Sequence, residues 1–162
     1  MKRYLVDKVS HFVEWSPCFT ITAIERWRLD VPFHDRCAHT VEIRVPGWSV
    51  VDLYRVTLAS GAMGVGETLE NYTWGKIGDE GAQQHVGRNA WDLIWDDELG
   101  AGLQMALFDA VGKSAGVPIH RLLGTQYRED CPVSWWAQDM EPLLWAREAA
   151  SAERLGFTTM KV

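Results

Sequence analysis

The last third of the sequence changes its hydrophobic period twice, and this change restricts the possible folds more than any other feature. The run CPVSWWAQ is apolar and of strand length, EPLLWAREAASAERLG is helical between Pro142 and Gly156, and FTTMKV is a second apolar run. This order predicts a βαβ unit whose two strands are parallel and buried on both faces. Because one such unit leaves an open sheet edge, we expect the 162-residue sequence to be a fragment whose second domain is mostly missing.

The helix of this unit should have one buried and one exposed face. Helical spacing predicts a buried stripe made of Trp145, Ala149, Ala152 and Leu155. The exposed face should carry Arg147, Ser151 and Arg154.

Alternating β-branched and aromatic residues predict three strands in the first half of the chain. They cover residues 19–33, 50–58 and 62–69, with Pro32 ending the first and a Ser60-Gly61 turn joining the other two. Residues 34–48 contain a Pro-Gly break and little regular pattern, so we predict a long connection there. The result is a three-stranded antiparallel meander.

A helical period follows. From Leu99 onwards one helical face carries the apolar residues Leu103, Ala106, Leu107, Ala110 and Val111. Asp96 and Asp97 precede this helix, where its dipole favours acidic side chains, and Gly116 with Pro118 ends it. The run PIHRLLG predicts a short helical turn closed by Gly124. We therefore expect an α+β domain up to about residue 125, followed by the opening of an α/β domain.

The segment SGAMGVGE contains three glycines and allows two interpretations. A phosphate-binding loop needs a strand, a glycine loop and then a helix N-terminus, but the following ETLENYTWG contains no helix start. The interpretation we favour is that the glycines let another backbone approach the strand closely.

Composition narrows the classes of partner. The net charge of −6 and a pI near 5.3 disfavour nucleic acid as a partner. Three widely spaced cysteines without a CxxC pair, Cys18, Cys37 and Cys131, indicate reduced thiols in the cytoplasm. Asp7 and Lys8 interrupt the first apolar run, and no stretch approaches the roughly 18 apolar residues of a membrane span. We expect a soluble, cytoplasmic chain that binds neither nucleic acid nor a membrane.

Aromatic and imidazole side chains supply candidate site residues. Among the nine tryptophans, those on predicted elements (Trp135, Trp136 and Trp145) are either core residues or sugar-stacking platforms, and those in loops (Trp48 and Trp74) are candidate pocket walls. Helical HxxxH spacing is absent from the five histidines, which are His11, His34, His39, His85 and His120. They are therefore exposed loop residues or substrate contacts more readily than metal ligands. Lys161 is either a solvated residue at a strand end or a catalytic amine.

Several of these segments together resemble a known family. In chain order they are the Val31-Pro32 step, SGAMGVGE, MALFDAVGKSAGVPIHRLLG, CPVSWWA and GFTTMKV. They resemble the enolase superfamily, in the branch of mandelate racemase and muconate lactonizing enzyme, over residues 20–162. The sequence departs from the family pattern at Ala59-Ser60-Gly61, which replaces a T-x-D-G turn, and at Phe108, where tryptophan is common.

The resemblance implies a fold of two parts. Residues 19–125 would form an α+β capping domain, with a three-stranded antiparallel meander followed by helices. Residues 126–162 would begin a TIM-like (β/α) barrel, and residues 1–18 remain an unassigned extension. A complete barrel of this kind takes about 250 residues.

The resemblance also implies a reaction. Members remove a proton alpha to a carboxylate and stabilise the enediolate on Mg²⁺, which leads to racemisation, epimerisation, cycloisomerisation or dehydration. Lys161 matches the first lysine of a K-x-K strand, and the second would be the base, two residues on. Alternate strand residues face the same side, so the two amines would crowd each other and lower a lysine pKa. Lys161 would tune that base and help to hold the substrate carboxylate.

The metal ligands of the family lie on later barrel strands, so none is assigned here, and we expect the 162 residues alone to be inactive. Cap loops would close over the barrel mouth and contact the substrate. On these loops the resemblance places Phe33, His34, His39, Trp48, Asn71, Tyr72 and Trp74. Gln138 and Asp139 would face the same mouth from the end of the first barrel strand. It implies a small-molecule carboxylate substrate and a homo-oligomer. The alternative is a stand-alone, non-catalytic binding or scaffold module.

Overall fold

A computed structural model describes residues 17–70 and 77–161 of the chain, without the side chains of residues 35–37 and 39. After a 3-10 turn at Pro17–Phe19, the first part contains β1 (Ile21–Asp30), α1 (Asp35–Arg44), β2 (Val50–Leu58), β3 (Met63–Leu69) and α2 (Asp79–Gln83). Two further 3-10 turns, Ala90–Asp92 and Asp97–Leu99, lead into α3 (Gly100–Ala115) and α4 (Ile119–Leu123). The last part contains β4 (Trp135–Trp136), α5 (Pro142–Arg154) and β5 (Met160–Lys161).

The three-stranded antiparallel meander is confirmed. The strand order is β1-β2-β3, and Arg55 in the central strand lies opposite Glu25 on one side and Val65 on the other. The turn between β2 and β3 contains Gly61 at φ 83°, a backbone conformation that favours glycine. Helices follow the sheet in the chain, so the predicted α+β architecture is also confirmed.

The prediction of an irregular connection over residues 34–48 is wrong, because α1 occupies Asp35–Arg44. Ala38, Val41 and Val45 follow a helical spacing of three and four residues, and Val41 is buried. This short apolar stripe lies among polar residues and directly before the Pro46-Gly47 break, which hid it from the pattern analysis.

Helix α3 covers one face of the sheet and forms the core with it. The predicted apolar face is confirmed, since all five of its residues after Leu99 are completely buried. Leu99 itself is buried in the preceding 3-10 turn. Gly116 ends the helix in the left-handed conformation, as its position after the apolar stripe predicts.

The glycines of β3 allow α3 to approach the strand more closely than any other residue would. A Cβ atom built on Gly64 would lie 2.0 Å from the carbonyl oxygen of Ala106, and one on Gly66 would lie 2.2 Å from that of Gly102. Gly102 in turn faces the ring of Tyr54, 2.7 Å from its ideal Cβ position. The interpretation of close backbone approach is therefore confirmed.

Two side chains of α3 also cover the free edge of β3. Asp109 accepts a hydrogen bond from the Val65 backbone N–H at 2.9 Å, and Lys113 donates to the Met63 carbonyl at 2.9 Å. The two side chains bond each other at 2.6 Å. An uncovered edge would offer these backbone groups to another chain, so the pair protects the strand from edge-to-edge pairing.

The parallel pairing of the last two strands agrees with the predicted βαβ unit. Trp135 lies opposite Met160 and Trp136 opposite Lys161, with α5 between the strands in the chain. Trp135 donates to Glu148 of α5 at 2.8 Å and packs edge-on against Phe157.

The predicted burial of this unit is wrong in part. Both tryptophans and Met160 are only half-buried, and Lys161 is exposed. Within the predicted stripe of α5, Ala152 is buried and Trp145 half-buried, whereas Ala149 and Leu155 are exposed. A sheet of two strands has too little area to cover a whole helical stripe.

We expect Gly64→Ala to lower the free energy of unfolding by about 3 kcal/mol or more, because the new methyl group would collide with the backbone of α3. The matched control is Gly78→Ala, where nothing lies within 4 Å of the ideal Cβ position. It should change stability by less than about 0.5 kcal/mol. Urea unfolding followed by circular dichroism measures both, and equal effects of the two substitutions would contradict the close contact.

Candidate active site

Three of the predicted site residues lie at the same edge of the two-stranded sheet. Lys161 ends the described part of β5, and Gln138 and Asp139 follow β4. Because the carboxyl ends of parallel strands meet at one edge, the structure brings these three positions together. Gln138 is half-buried, whereas Asp139 and Lys161 are exposed. In barrel enzymes this edge is where the chemistry takes place.

Helix α1 lies beside that edge. Arg44, at the C-terminal end of α1, forms an ion pair with Asp139 at 3.5 Å. Both side chains are more than half exposed, so the pair adds little stability. The same pair lines a groove of about 200 Å³ between α1 and the start of α5, to which Thr40, Met140 and Leu144 also contribute.

The indole of Trp48 connects the first part of the chain to β4. Its ring stacks on that of Trp136, with 6.3 Å between centroids and 20° between planes. Trp136 in turn pairs with Lys161, the candidate catalytic lysine, on the neighbouring strand. Trp136 therefore does more than fill the interior of its own sheet, because its ring also packs against Trp48 in the loop before β2.

Trp48 and Phe33 line a cavity of about 160 Å³ between β1, α1 and β2. Val41 and Val45 of α1 supply further apolar wall, and Asp30 and Glu42 supply carboxylates. Phe33 and Trp48 were both predicted as substrate contacts from their loop positions. The structure places them in the same cavity although 14 residues separate them in the sequence.

The remaining predicted substrate contacts are His34, His39, Asn71, Tyr72 and Trp74, and the structure describes a side chain only for His34. His34 is exposed between β1 and α1, where its carbonyl accepts the Ala38 N–H at 3.0 Å. His39 lies in α1, and only its backbone is described. Asn71, Tyr72 and Trp74 lie outside the described residues.

Sequence reasoning missed Arg44 and the contribution of α1. The spacing of Ala38, Val41 and Val45 could have revealed the helix, and a helix there would have placed Arg44 in its last turn. No local signal indicates the pairing of Arg44 with Asp139, which are far apart in the chain.

The described residues contain no cluster of side chains suited to bind a metal ion. No group of three or more histidine, cysteine or acidic side chains there could hold a metal ion. The residues present therefore do not fit the Mg²⁺ that the resemblance implies. In the same ranges, no helix has the length and apolar character needed to cross a membrane.

Tyr54 lies in β2 on the face of the sheet that α3 covers, and its pKa is shifted. Its hydroxyl donates to the Ile77 carbonyl at 2.8 Å. Burial raises the pKa of this hydroxyl above its ordinary value of 10.0, while the positive charge of Arg26 opposes the shift. The folded protein therefore holds the Tyr54 proton more tightly than the unfolded chain does.

The fold described above is similar to part of a larger solved structure. A mandelate racemase/muconate lactonizing protein from Herpetosiphon aurantiacus superposes on this chain with a TM-score of 0.67 and 18% sequence identity, over 90% of this chain and 44% of the other. At this level of identity the superposition establishes a common fold.

Two curated relatives are similar in sequence over shorter stretches. An N-succinyl-L-Arg/Lys racemase from Bacillus cereus is 34% identical over 62 residues, which is 38% of this chain and 17% of the racemase. A chloromuconate cycloisomerase from Cupriavidus pinatubonensis is 54% identical over 35 residues, which is 22% of this chain and 9% of the cycloisomerase. No family model matches the chain.

The resemblance to mandelate racemase and muconate lactonizing enzymes is therefore confirmed, with the cap and the start of a barrel as its fold. The chain spans less than half the length of the solved structure and less than a fifth of either curated relative. The similar proteins are a racemase and a cycloisomerase, which are isomerases.

We expect the two stacked indoles to be energetically coupled. In a double-mutant cycle, Trp48→Ala and Trp136→Ala should show a coupling of about 0.5–1.5 kcal/mol in the free energy of unfolding, as measured for packed aromatic pairs. A cycle that pairs Trp48→Ala with Trp91→Ala, whose ring packs on Phe19 instead, should show none. Additive effects of Trp48 and Trp136 would contradict the stacking.

The shifted Tyr54 pKa predicts a loss of stability at alkaline pH. Because the folded pKa is raised, its contribution is fully present below about pH 10 and is lost as the pH rises through the folded value. The stability difference between the natural protein and Tyr54→Phe, about 1 kcal/mol from the lost hydrogen bond at neutral pH, should therefore shrink above pH 10. Exposed Tyr127 provides the control, since Tyr127→Phe should leave the pH dependence unchanged. Urea unfolding between about pH 8 and pH 11 tests this.

Proposed function

We propose that this chain supplies the cap and the first barrel strands of an enzyme that removes a proton alpha to a carboxylate. The observation that carries the proposal is the position of Lys161, at the carboxyl edge of the parallel strands and beside the Trp136 that stacks on Trp48 of the cap. Trp48 also lines the cavity of the cap, so one indole connects that cavity to the strand beside Lys161. An enzyme whose cap closes over a barrel mouth needs such a connection.

The proposed role of Lys161 is to hold the substrate carboxylate and to tune a second lysine two positions further along the strand. That lysine, in its neutral form, would take the proton from the alpha carbon. The C–H bond breaks, an N–H bond forms, and the electron pair of the broken bond moves into the carboxylate to give an enediolate. Delivery of a proton to the opposite face of the enediolate gives racemisation or epimerisation. Cleavage of the C–O bond to a hydroxyl on the neighbouring carbon, which leaves as water with a proton, gives dehydration. Cycloisomerisation uses the same intermediate in reverse.

The cap would choose the substrate through the cavity between β1, α1 and β2. Phe33 and Trp48 would contact the part of the substrate furthest from the carboxylate, and Asp139 would orient α1 through Arg44. Substrate contacts by His34, His39, Tyr72, Trp74 and Gln138 remain predictions. The substrates that the relatives' names print, N-succinylated arginine or lysine and chloromuconate, are small carboxylates of suitable kind to test.

Other properties of the whole protein belong to the same proposal. They are cytoplasmic location, assembly into a homo-oligomer, a cap over residues 19–125 and a barrel that begins at residue 126. The implied Mg²⁺ finds no ligand set among the described residues, so no step above passes through it. Ligands from barrel strands beyond Val162 remain a prediction.

The proposal is tested by exchange of the alpha proton in D₂O, followed by proton NMR, with the complete product of the gene and N-succinyl-L-lysine or N-succinyl-L-arginine as substrate. Lys161→Met should lower the exchange rate by about 100-fold or more, because the substrate carboxylate and the tuned base both lose their partner. The control is Arg154→Met, which removes a cation from the exposed face of α5 and should stay within about twofold of the natural protein.

Two results would argue for the non-catalytic module instead. One is binding of these carboxylates without any exchange of the alpha proton. The other is a codon two positions after Lys161 that does not encode lysine, since the proposed base would then be missing.

A further inference from the structure

The face of the sheet that packs against α3 is apolar at one end and charged at the other. Along β2 its buried residues run from Leu58 and Val56 through Tyr54 to Asp52. Asp52 is 0% exposed and lies at the end where β1 leaves the sheet and β3 finishes. This is also the end from which both predicted substrate loops depart.

Two arginines of β1 surround the buried Asp52 carboxylate. Arg26 donates to its Oδ2 at 3.0 Å, and the Nε of Arg28 lies 3.7 Å from its Oδ1. The bonds from Arg26 to Asp52 and to Asp79 raise the pKa of the Arg26 guanidinium, which stays charged. A buried carboxylate with two cations beside it is costly to desolvate, and apolar residues of similar size in such places are often as stable or more stable. Stability of the sheet alone therefore does not explain these charges.

Each arginine also reaches one end of the connection between β3 and α2. Arg28 bonds Glu70, the residue directly after β3, whose backbone N–H donates to Val50 at 3.3 Å. On the other side Arg26 donates to Asp79, the first residue of α2, at 2.9 Å. We call the Arg28–Glu70 contact the first arm and the Arg26–Asp79 contact the second arm. The two arms meet at Asp52, because both arginines also lie beside its carboxylate.

Further bonds hold the second arm against the sheet. The Tyr54 hydroxyl binds the Ile77 carbonyl, and the Gln83 amide donates to the Ile24 carbonyl at 2.7 Å. Helix α2 is thus fixed to β1 and β2 at both its ends. Its five residues form too short a helix to hold this position by its own hydrogen bonds.

We propose that Asp52, Arg26 and Arg28 are positioning residues that fix where the chain leaves the sheet at Glu70 and where it returns at Ile77 and Asp79. The separation of these two points determines the span of the connection on which the sequence places Tyr72 and Trp74. That this positioning governs substrate selection rests on the proposed function; the positioning itself does not.

Residue-resolved amide hydrogen exchange on the complete product of the gene tests the two arms separately. Arg28→Met should speed exchange of the Glu70 amide about tenfold and leave the Ala82 amide of α2 unchanged. Asp79→Asn should do the opposite. Asp52→Asn should speed both by at least about tenfold while Leu107 in the core of α3 exchanges as before. The matched control is Glu25→Gln, which breaks a similar arginine–carboxylate pair with Arg55 on the other face of the same two strands and should change neither amide.

Three outcomes overturn the proposal. In the first, Asp52→Asn speeds the amide exchange of Glu70, Ala82 and Leu107 by the same factor, which would show a general loss of stability. In the second, Asp52→Asn leaves all three exchange rates unchanged. In the third, Arg28→Met speeds exchange of the Glu70 and Ala82 amides equally. If Asp52→Asn does not fold, the exposed-arm variants Arg28→Met and Asp79→Asn still decide the question. Since no substrate is used, failure here leaves the proton-exchange test of the proposed function unaffected.

Discussion

The contact between the backbones of α3 and β3 determines how the rest of the structure is arranged. Because Gly64 and Gly66 carry no side chains, the helix lies directly on the strand, and its apolar face fills one end of the sheet. The other end of the same face extends beyond this contact and carries Asp52 and its arginines. Both connections that bear predicted substrate contacts leave the sheet there. The close contact at the glycines therefore buries one end of this face in the apolar core, and the charged residues lie at the other end.

The sequence predicts this sheet and α3 well because several local signals agree. Strand alternation, the Gly61 turn, the helical period from Leu99 and the Gly116 stop all indicate the same elements. Helix α1 was not predicted because only three apolar residues follow a helical spacing there and Pro46-Gly47 comes directly after them. The apolar stripe of α5 is less buried than predicted for a different reason, since burial depends on what packs against a helix and not on the helix's own period.

The site was predictable only in part, because it depends on contacts between distant residues. Loop position placed Phe33 and Trp48 near a pocket, and the cavity contains both. Their local sequence does not predict that Trp48 stacks on Trp136 or that Arg44 pairs with Asp139. Lys161 shows the same limit most clearly. Its spacing fits an exposed surface lysine as well as a catalytic one, and the structure shows it exposed; its neighbours on the sheet edge and the family resemblance favour the catalytic interpretation.

Strands β1 and β2 carry two kinds of arginine–carboxylate pair, and their difference supports a role for the buried one. Glu25 and Arg55 lie on the open face of the sheet, both about two fifths exposed, where such a pair costs little and contributes little. Asp52 is fully buried on the other face, where desolvation is costly and an apolar residue would fit the neighbouring pattern of Val56 and Leu58. A sheet that needed only to be stable would place its charges as the first pair does. Charges buried at the loop end, with both arginines reaching beyond the sheet to Glu70 and Asp79, are instead what a cap requires if its loops must start and finish at fixed points.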